Sequence, residues 1–270
     1  MSPISFRDLT TLDQFAAVVQ LERDIWGPAY DDVVPVPILA VSVHSGGILI
    51  GAFDGDRMIG FVYSLPGIKD GKPTQWSHMA GVLPDYQSRG LGYQLKLLQR
   101  ERALNAGLDL VQWTYDPLQA MNAHLNFSKL GVVVGEYAVN IYGVSASPLH
   151  GGNPTDRFVA DWFVRDARVE ERLRGAAPLA SVMTVEPAGR AQPAGDWLEP
   201  AIVDLTLAAK RVSVEIPMGF TDLLAQAPDL ALEWRMATRR IFTAYLGRGY
   251  RAVEFFLDRP ARKGAYLLVK

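Results

Sequence analysis

The stretch SHMAGVLPDYQSRGLGYQLKLLQRERALNA, residues 77–106, decides how the first half of this chain folds. It begins with an apolar run at 79–83, and Pro84 ends the strand predicted there because proline has no N–H to donate to a sheet. A polar loop at 85–89 then leads into Gly90-Leu91-Gly92. The residues that follow at helical spacing are Leu91, Leu95, Leu98 and Arg102, and Gly107 is a typical helix stop. The stretch therefore predicts a strand, a glycine loop and a helix, in that order.

The glycine loop has the composition of an anion site. A helix N-terminus exposes unpaired N–H groups and about half a positive charge, which favours a negatively charged ligand. Gly90 and Gly92 carry no Cβ to keep a phosphate away from the main chain, and glycine also permits a positive φ. Arg89 adds a side-chain cation. We interpret the loop as a pyrophosphate cradle, and the alternative is a tight turn that needs two glycines.

The spacing Val82-x-Pro84-x5-Gly90-x-Gly92, with Gln87 before the first glycine, resembles motif A of the GNAT acyltransferase superfamily. The resemblance implies that this loop binds the pyrophosphate of acetyl-CoA or another acyl-CoA. Other phosphate loops fit less well, since no Lys-Ser/Thr pair follows the glycines and Leu95 replaces the third glycine of a dinucleotide fingerprint. The acyl-CoA contacts that the resemblance implies are Val82, Leu83, Gln87, Ser88, Arg89, Gly90, Leu91, Gly92, Tyr93 and Asn122.

The composition bounds the class of protein. The 270 residues are 49% hydrophobic and 21% charged, which is ordinary for a globular protein and allows two cores. The net charge of −2 offers no basic face for nucleic acid, and the absence of cysteine excludes disulfides, thiol catalysis and cysteine-ligated zinc. Residues 1–9 lack a signal-peptide core, and prolines and glycines interrupt the uncharged run at 33–53. We expect a cytoplasmic protein without membrane, nucleic-acid or metal partners; the oligomeric state stays open, with a homodimer among the options.

The pattern of strands and helices along residues 4–143 matches the order of a GNAT domain. The predicted strands are 4–7, 47–53, 58–65, 75–83, 108–115 and 132–142, the predicted helices include 13–26 and 118–130, and 27–47 is predicted to be rich in loop. The predicted fold class is α/β (α+β), a GNAT-type mixed central sheet flanked by helices, with a second, degenerate GNAT-like α/β half. We expect an acyl-CoA-binding domain at 1–146 and a C-terminal α/β domain at 147–270, joined by a linker rich in Pro and Gly. In the second domain the predicted strands are 157–164, 180–185, 201–205, 212–216, 251–257 and 265–269, and the predicted helix is 229–246.

Acyl transfer to an amine needs a deprotonated amine, a polarised thioester carbonyl and a proton or solvent for the departing thiolate. His78 is the candidate base, because it lies four residues before Val82 on the strand where GNAT enzymes often place a Glu or His. A purely structural histidine is the alternative. A main-chain N–H near Val82 or Leu83 is the candidate for holding the carbonyl. Weaker candidates for the base are Glu22, Asp24, Glu136 and Tyr142, and Trp26 and Tyr30 are candidates for the wall of an acceptor pocket.

One position departs from the GNAT pattern. The helix that ends at Gly131 has Phe127 where the family often has a proton-donating Tyr, which leaves the general acid unassigned. Tyr245-x3-Gly249-Tyr250 fits that helix ending better and suggests a degenerate second copy without a glycine loop. We expect the C-terminal half to close the acceptor site, and the candidates for binding an acceptor carboxylate are Arg157, Arg235 and Arg239.

Residues 152–157 (GNPTDR) and 214–217 (VEIP) are also similar to a predicted bacterial two-part acyltransferase family, some of whose proteins succinylate D-amino acids. The predicted function is N-acyl transfer by direct attack in a ternary complex. The acyl group is acetyl or another short group, with succinyl as an option, and the acceptor is the amine of a small molecule such as an amino acid. The alternatives are a non-catalytic acyl-CoA-binding module and a protein N-acetyltransferase.

Overall fold

The computed structural model describes residues 3–28, 30–143, 152–176 and 185–270. The chain divides into two compact units, of which unit 1 is Met1–Trp113 with Phe163–Arg165 and unit 2 is Thr114–Trp162 with Asp166–Lys270. The domain boundary predicted at 146/147 lies outside the described residues, as do residues 180–184 of the strand predicted at 180–185.

The secondary structure confirms the predicted α/β fold class, a mixed sheet flanked by helices. The strands are β1 (Ile4–Asp8), β2 (Ile48–Asp54), β3 (Arg57–Lys69), β4 (Lys72–Val82), β5 (Leu110–Tyr115), β6 (Val133–Ala138), β7 (Arg157–Phe163), β8 (Glu186–Ala194), β9 (Trp197–Val203), β10 (Arg211–Pro217), β11 (Arg251–Asp258) and β12 (Lys263–Val269). The helices are α1 (Leu12–Trp26), α2 (Val36–His44), α3 (Leu91–Asn105), α4 (Ala120–His124), α5 (Ala167–Leu173), α6 (Phe220–Gln226) and α7 (Pro228–Gly247). A 3₁₀ turn at Pro84–Tyr86 precedes α3, and a π-helical turn at Leu125–Leu130 extends α4. Among the described helices, none is long and apolar enough to cross a membrane.

Unit 1 is built on β1, β2, β3 and β4, in that order, followed by residues 110–113 of β5. The first four strands are antiparallel neighbours, and β5 runs parallel to β4. Helix α1 begins with a capping box, in which the Thr11 hydroxyl accepts the Gln14 N–H and the Gln14 side chain accepts the Thr11 N–H. Helix α3 connects β4 to β5 and packs on β2, β3 and β4. The strand, glycine loop and helix predicted from the sequence therefore lie at the centre of unit 1.

Unit 2 contains the strand order β7-β6-β11-β12-β10-β8-β9. A helix followed by an antiparallel strand pair occurs twice, as α4 with β6 and β7 and as α7 with β11 and β12. The neighbours β8 and β10 are parallel, as β4 and β5 are, but the strand β9 connects them instead of a helix. In its described residues, unit 2 therefore repeats part of the strand pattern without a counterpart of α3.

Several element predictions are wrong, each for a local reason. Helix α2 lies within the loop-rich segment 27–47 and is not predicted. It begins after Pro35, and prolines at a helix start remove no helical hydrogen bond. The last strand predicted for the first half stops at Ala138, where a turn begins. Strand β8 is not predicted, and β9 begins four residues before the predicted start. Prolines within both strands interrupt the alternation that would predict them, although proline is tolerated near a sheet edge. Helices α5 and α6 are too short to show a clear period.

Candidate active site

The glycine loop forms an open helix N-terminus in unit 1. Gly90 is the N-cap of α3 with φ 78°, in the left-handed region that favours glycine. Among the described residues no side chain caps this helix, its first turn contains no acidic residue, and a Cβ built on Gly90 or Gly92 would meet no atom within 4 Å. Leu91 is 5% exposed, so its side chain anchors the start of the helix. The space beside Gly90 and Gly92 is therefore open at an uncapped helix N-terminus, which suits an anion.

Two side chains of the loop are used to hold its shape. Gln87 Nε2 donates to the Val82 carbonyl oxygen at 3.1 Å, and an Arg89 guanidinium nitrogen donates to the Asp85 carbonyl oxygen at 2.8 Å. The Arg89 guanidinium also lies over the Tyr86 ring, 4.8 Å from its centroid. Residues 87–90 are all exposed. Gln87 and Arg89 therefore position the loop, while the guanidinium remains at the surface beside the open helix end.

The edge of β4 that faces away from β3 is open next to this loop. Among the described residues, β4 and β5 pair only at Gln75 with Val111 and at Trp76 with Gln112. Beyond that point β4 continues for six residues, 77–82. We call this open edge of β4, residues 77–82, the fork. An extended chain can enter it and bond to main-chain groups of β4.

The hydrogen bonds between β3 and β4 decide which main-chain groups face the fork. The Leu83 N–H donates to the Ile59 carbonyl oxygen at 2.9 Å, on the β3 side. Because such bonds alternate along an antiparallel pair, the N–H groups of Ala80 and Val82 point away from β3, towards the fork. Of the two N–H groups predicted to hold a thioester carbonyl, the one on Leu83 is therefore occupied. The one on Val82 points away from β3, at the end of the strand next to the glycine loop.

His78 lies at a β-bulge of β4. Tyr63 pairs with Met79 and Ser64 pairs with Ser77, which leaves His78 as the extra residue. Its imidazole is exposed and meets the Tyr63 ring edge-on, with the centroids 6.0 Å apart. Protein atoms around the ring displace part of its water and lower the pKa of His78 below 6.5. The imidazole is therefore neutral near pH 7 and accessible, as a proton acceptor must be.

Side chains of α1 and α2 surround Tyr63. Its hydroxyl lies 2.5 Å from Ser42 Oγ, and burial, followed by the charge of Glu22, raises the pKa of Tyr63. Glu22 is fully buried, accepts the Val34 N–H at 2.9 Å, and has a pKa raised by burial to about 7. This carboxyl group ties the segment before α2 to α1. Asp24, another candidate for the base, is exposed.

The end of α1 approaches β4 closely at Gly81. A Cβ on Gly81 would lie 2.8 Å from Ile25 Cδ1 and 3.2 Å from the Trp26 ring, so a larger residue here would displace both side chains. The Trp26 ring packs against Tyr30 with centroids 5.2 Å apart and meets Phe61 edge-on. Both aromatic residues predicted to line an acceptor pocket therefore lie together next to the fork strand.

Lys96 is a residue of this region that the sequence does not single out. It is 6% exposed on α3, and its ammonium donates to Ser77 Oγ at 2.8 Å and to Gln99 Oε1 at 3.1 Å. It also lies 3.8 Å from the centroid of the Trp113 ring, and burial lowers the pKa of Lys96 to about 7. The sequence contains one signal that could have identified Lys96. Residues 92, 96, 99 and 103 lie on one face of α3, and the small residues at both ends, a Gly and an Ala, mark that face as the one that packs on the sheet.

No protein-family model and no curated protein matches the chain, but solved structures do. The ribosomal-protein-S18-alanine N-acetyltransferase of Escherichia coli is 16% identical, with 61% of this chain and 96% of that chain covered and a TM-score of 0.48. An acetyltransferase of the GNAT family from Streptococcus pneumoniae is 16% identical, with 59% and 98% covered and a TM-score of 0.48. The PaiA N-acetyltransferase of Thermoplasma acidophilum, in complex with coenzyme A, is 15% identical, with 59% and 98% covered and a TM-score of 0.42.

The chain is similar to GNAT acetyltransferases. It departs from the GNAT pattern in unit 2, where Phe127 is fully buried and meets the Tyr266 ring edge-on at 5.7 Å. Tyr245 is also buried, and its hydroxyl donates to the Asp204 carbonyl oxygen at 3.0 Å. Asn122 is exposed on α4. The two aromatic side chains that the sequence resemblance matched to a GNAT tyrosine are thus used for packing and for a main-chain hydrogen bond.

The arginines expected to bind an acceptor carboxylate have internal partners in unit 2. Arg235 holds Asp116 through two bonds of 2.8 and 2.6 Å, and Arg239 holds Asp156 through two bonds of 2.8 and 2.7 Å. Arg157 donates to the Asp156 carbonyl oxygen at 2.9 Å. Two of the three guanidinium forks therefore already bind a carboxylate of the chain itself. The other candidates for the base are the exposed residues Glu136 and Tyr142.

Proposed function

We propose that this chain is an N-acyltransferase that moves an acetyl or other short acyl group from acyl-CoA to the amine of a small molecule. The observation that carries the proposal is the continuity of two features of unit 1. The fork of β4 leads directly into the open N-terminus of α3, so one segment offers unpaired main-chain groups to an extended arm and then to an anion. Acyl-CoA has this sequence of parts, a thioester, an extended pantetheine and a pyrophosphate.

The residues present fit that ligand. The N–H groups at the start of α3 would hold the pyrophosphate, helped by Arg89 at the surface and by the missing side chains of Gly90 and Gly92. Main-chain groups of 77–82 would hold the pantetheine, and the thioester would lie at the end of this strand edge that is far from the loop, beside Ser77 and His78. Acyl-CoA supplies an activated carbonyl with a thiol leaving group.

His78 supplies the base in this proposal. Its neutral imidazole takes a proton from the acceptor amine, which then attacks the carbonyl directly while both substrates are bound. Holding the two substrates together accounts for much of the rate, because it converts a bimolecular reaction into a unimolecular one. The aromatic wall of Trp26 and Tyr30 gives the acceptor an apolar surface to lie on. An amino acid as acceptor and succinyl-CoA as donor are the finer options that the sequence resemblance supports.

The test uses the full chain. Calorimetry with coenzyme A measures binding, and thiol release from acetyl-CoA and from succinyl-CoA is then measured with the twenty amino acids in both configurations and a set of simple amines. We expect binding, and thiol release that depends on one class of amine. A protein that binds coenzyme A but releases no thiol with any acceptor would be an acyl-CoA-binding module. A protein that does not bind it would overturn the proposal.

A further inference from the structure

Within the described residues, Lys96 is a buried cation without a carboxylate partner. Its ammonium contacts the Ser77 hydroxyl, the Gln99 amide oxygen and the Trp113 ring. In the part of the chain that the structure describes, no Asp or Glu forms an ion pair with it. Burying an ammonium in this way costs free energy that an apolar side chain would not cost. Packing alone therefore does not explain a lysine at this position.

The cluster lies at the closed end of the fork. The last pair between the two parallel strands is Trp76 with Gln112, so Ser77 and Trp113 are the first residues beyond it. The bulge residue His78 follows Ser77 directly. A hydroxyl group that is held by a buried ammonium thus stands next to the candidate base, at the point where the strands separate.

We propose that Ser77 and Lys96 form a proton relay that protonates the thiolate leaving group. The inference rests on the proposed N-acyltransferase function. When the amine nitrogen bonds to the acyl carbon, the carbon–sulfur bond breaks and the sulfur keeps the electron pair. The Ser77 hydroxyl gives its proton to that sulfur, and the Lys96 ammonium gives a proton to Ser77 Oγ and becomes a neutral amine. The proton lost by the acceptor nitrogen goes to His78, and exchange with solvent restores both groups.

The relay supplies the proton donor that the GNAT tyrosine position lacks. Phe127 has no proton to give, and the hydroxyl of Tyr245 donates to a carbonyl oxygen. Ser77 is the catalytic residue of the relay, because it is the group that meets the reacting sulfur. Lys96 acts through Ser77 and is a positioning residue that also stores the proton.

The acidity of Lys96 is set by burial. The titratable groups on the elements around it are Asp54 on β2, Arg57, Tyr63 and Lys69 on β3, Lys72 and His78 on β4, Tyr115 on β5, and Tyr93, Arg100, Glu101 and Arg102 on α3. None of these groups hydrogen-bonds to Lys96, and burial alone is what lowers its pKa to about 7. Because an ordinary protein thiol has a pKa of about 8.5, transfer of the proton from Lys96 to a thiolate is favourable.

Lys96→Met removes the proton and fills a similar volume, and Ser77→Ala breaks the path while Lys96 stays in place. Ser77→Thr keeps the hydroxyl, and Leu95→Met is the matched control for repacking a buried position on the same helix. For each variant, kcat and KM are measured from pH 5.5 to 9.5 with acetyl-CoA or succinyl-CoA and the best amino acid or amine of the panel. Calorimetry with coenzyme A and thermal unfolding show whether each variant binds and folds.

We expect the kcat of the parent to fall above about pH 7, as Lys96 loses its proton. Lys96→Met and Ser77→Ala should lower kcat by about a hundredfold and lose this alkaline decline, with KM for the thioester changed less than about threefold. Ser77→Thr and Leu95→Met should keep the decline. If Lys96→Met keeps it, or if Ser77→Ala keeps the parental kcat, the relay is wrong although the protein is an acyltransferase. If the parent protein releases no thiol at all, both proposals fall.

Discussion

The main-chain N–H of Leu83 donates to the carbonyl oxygen of Ile59 at 2.9 Å, and this bond determines which side of β4 is available to a ligand. Since the bonding direction alternates along the strand, the N–H of Val82 points to the fork. The same strand then bends through Pro84–Tyr86 into the open end of α3. An extended pantetheine arm and a pyrophosphate can therefore be bound by consecutive main-chain groups of one segment.

Gly90→Glu should lower the affinity for coenzyme A by about a hundredfold or more, because it places bulk and a negative charge where the helix end faces the pyrophosphate. Calorimetry measures the loss. Gly71→Glu is the matched control, since Gly71 also has a positive φ, 75° against 78°, and open surroundings, but it lies in the turn between β3 and β4. Equal affinities of Gly90→Glu and the parent would show that the loop is not the binding site.

His78→Ala should lower kcat by about tenfold to a thousandfold, the range for loss of a general base. The lowered pKa of His78 puts the acidic decline of the parental kcat below pH 6.5, where the imidazole becomes charged and cannot accept a proton. The variant should lose this decline, and its deficit should shrink at high pH, where more of the amine is already deprotonated. His44→Ala, at an exposed position of α2, is the control. An unchanged pH–rate profile would leave His78 as a structural residue.

Lys96→Met should change how the free energy of unfolding depends on pH. Burial lowers the pKa of Lys96 from 10.5 to about 7, so between these values the unfolded chain binds a proton that the folded chain does not. The parent therefore gains stability from Lys96 as pH rises from 7 to 10.5, by at most about 5 kcal/mol. Below pH 7 the full cost of the buried charge is present.

Urea unfolding of the parent and of Lys96→Met at several pH values from 6 to 10 measures this difference. The variant should be the more stable protein at pH 6, and the two stabilities should converge as pH rises. Parallel curves would mean that Lys96 has an ordinary pKa in the folded protein, which would also remove the acid from the proposed relay.

Phe127→Tyr adds a hydroxyl at the position where the sequence resemblance predicts a proton-donating Tyr, but it should not raise kcat. Phe127 is fully buried against Tyr266, so an added hydroxyl would lose its water, and we expect a loss of about 1–3 kcal/mol of stability. Chemical unfolding and kcat of the folded variant test this. A variant that is as stable as the parent and faster would show that this position reaches the leaving group.

Local interactions explain why the sequence predicts so much of unit 1. Pro84 restricts the backbone and the glycines at 90 and 92 free it, whatever they pack against. The strand, loop and helix can therefore be predicted from residues close together in the sequence. Helix α2 is not predicted because its prolines are usually loop signals. They lie at the start of the helix, where they remove no helical hydrogen bond. In β8 and β9, prolines interrupt the alternation of apolar and polar residues that predicts a strand, although the paired strands accommodate these prolines near the sheet edge.

By itself, the sequence determined the strand, the glycine loop and the helix, the order of elements around them, and an interpretation of the loop as an acyl-CoA site. Only the tertiary structure decided that the N–H of Leu83 is occupied, that His78 is the extra residue of a bulge, and that Lys96 is buried against Ser77 without a carboxylate. Those facts depend on strand register and on the packing of α3 against the sheet. They join residues 15 to 24 positions apart, and no local pattern specifies which atoms meet.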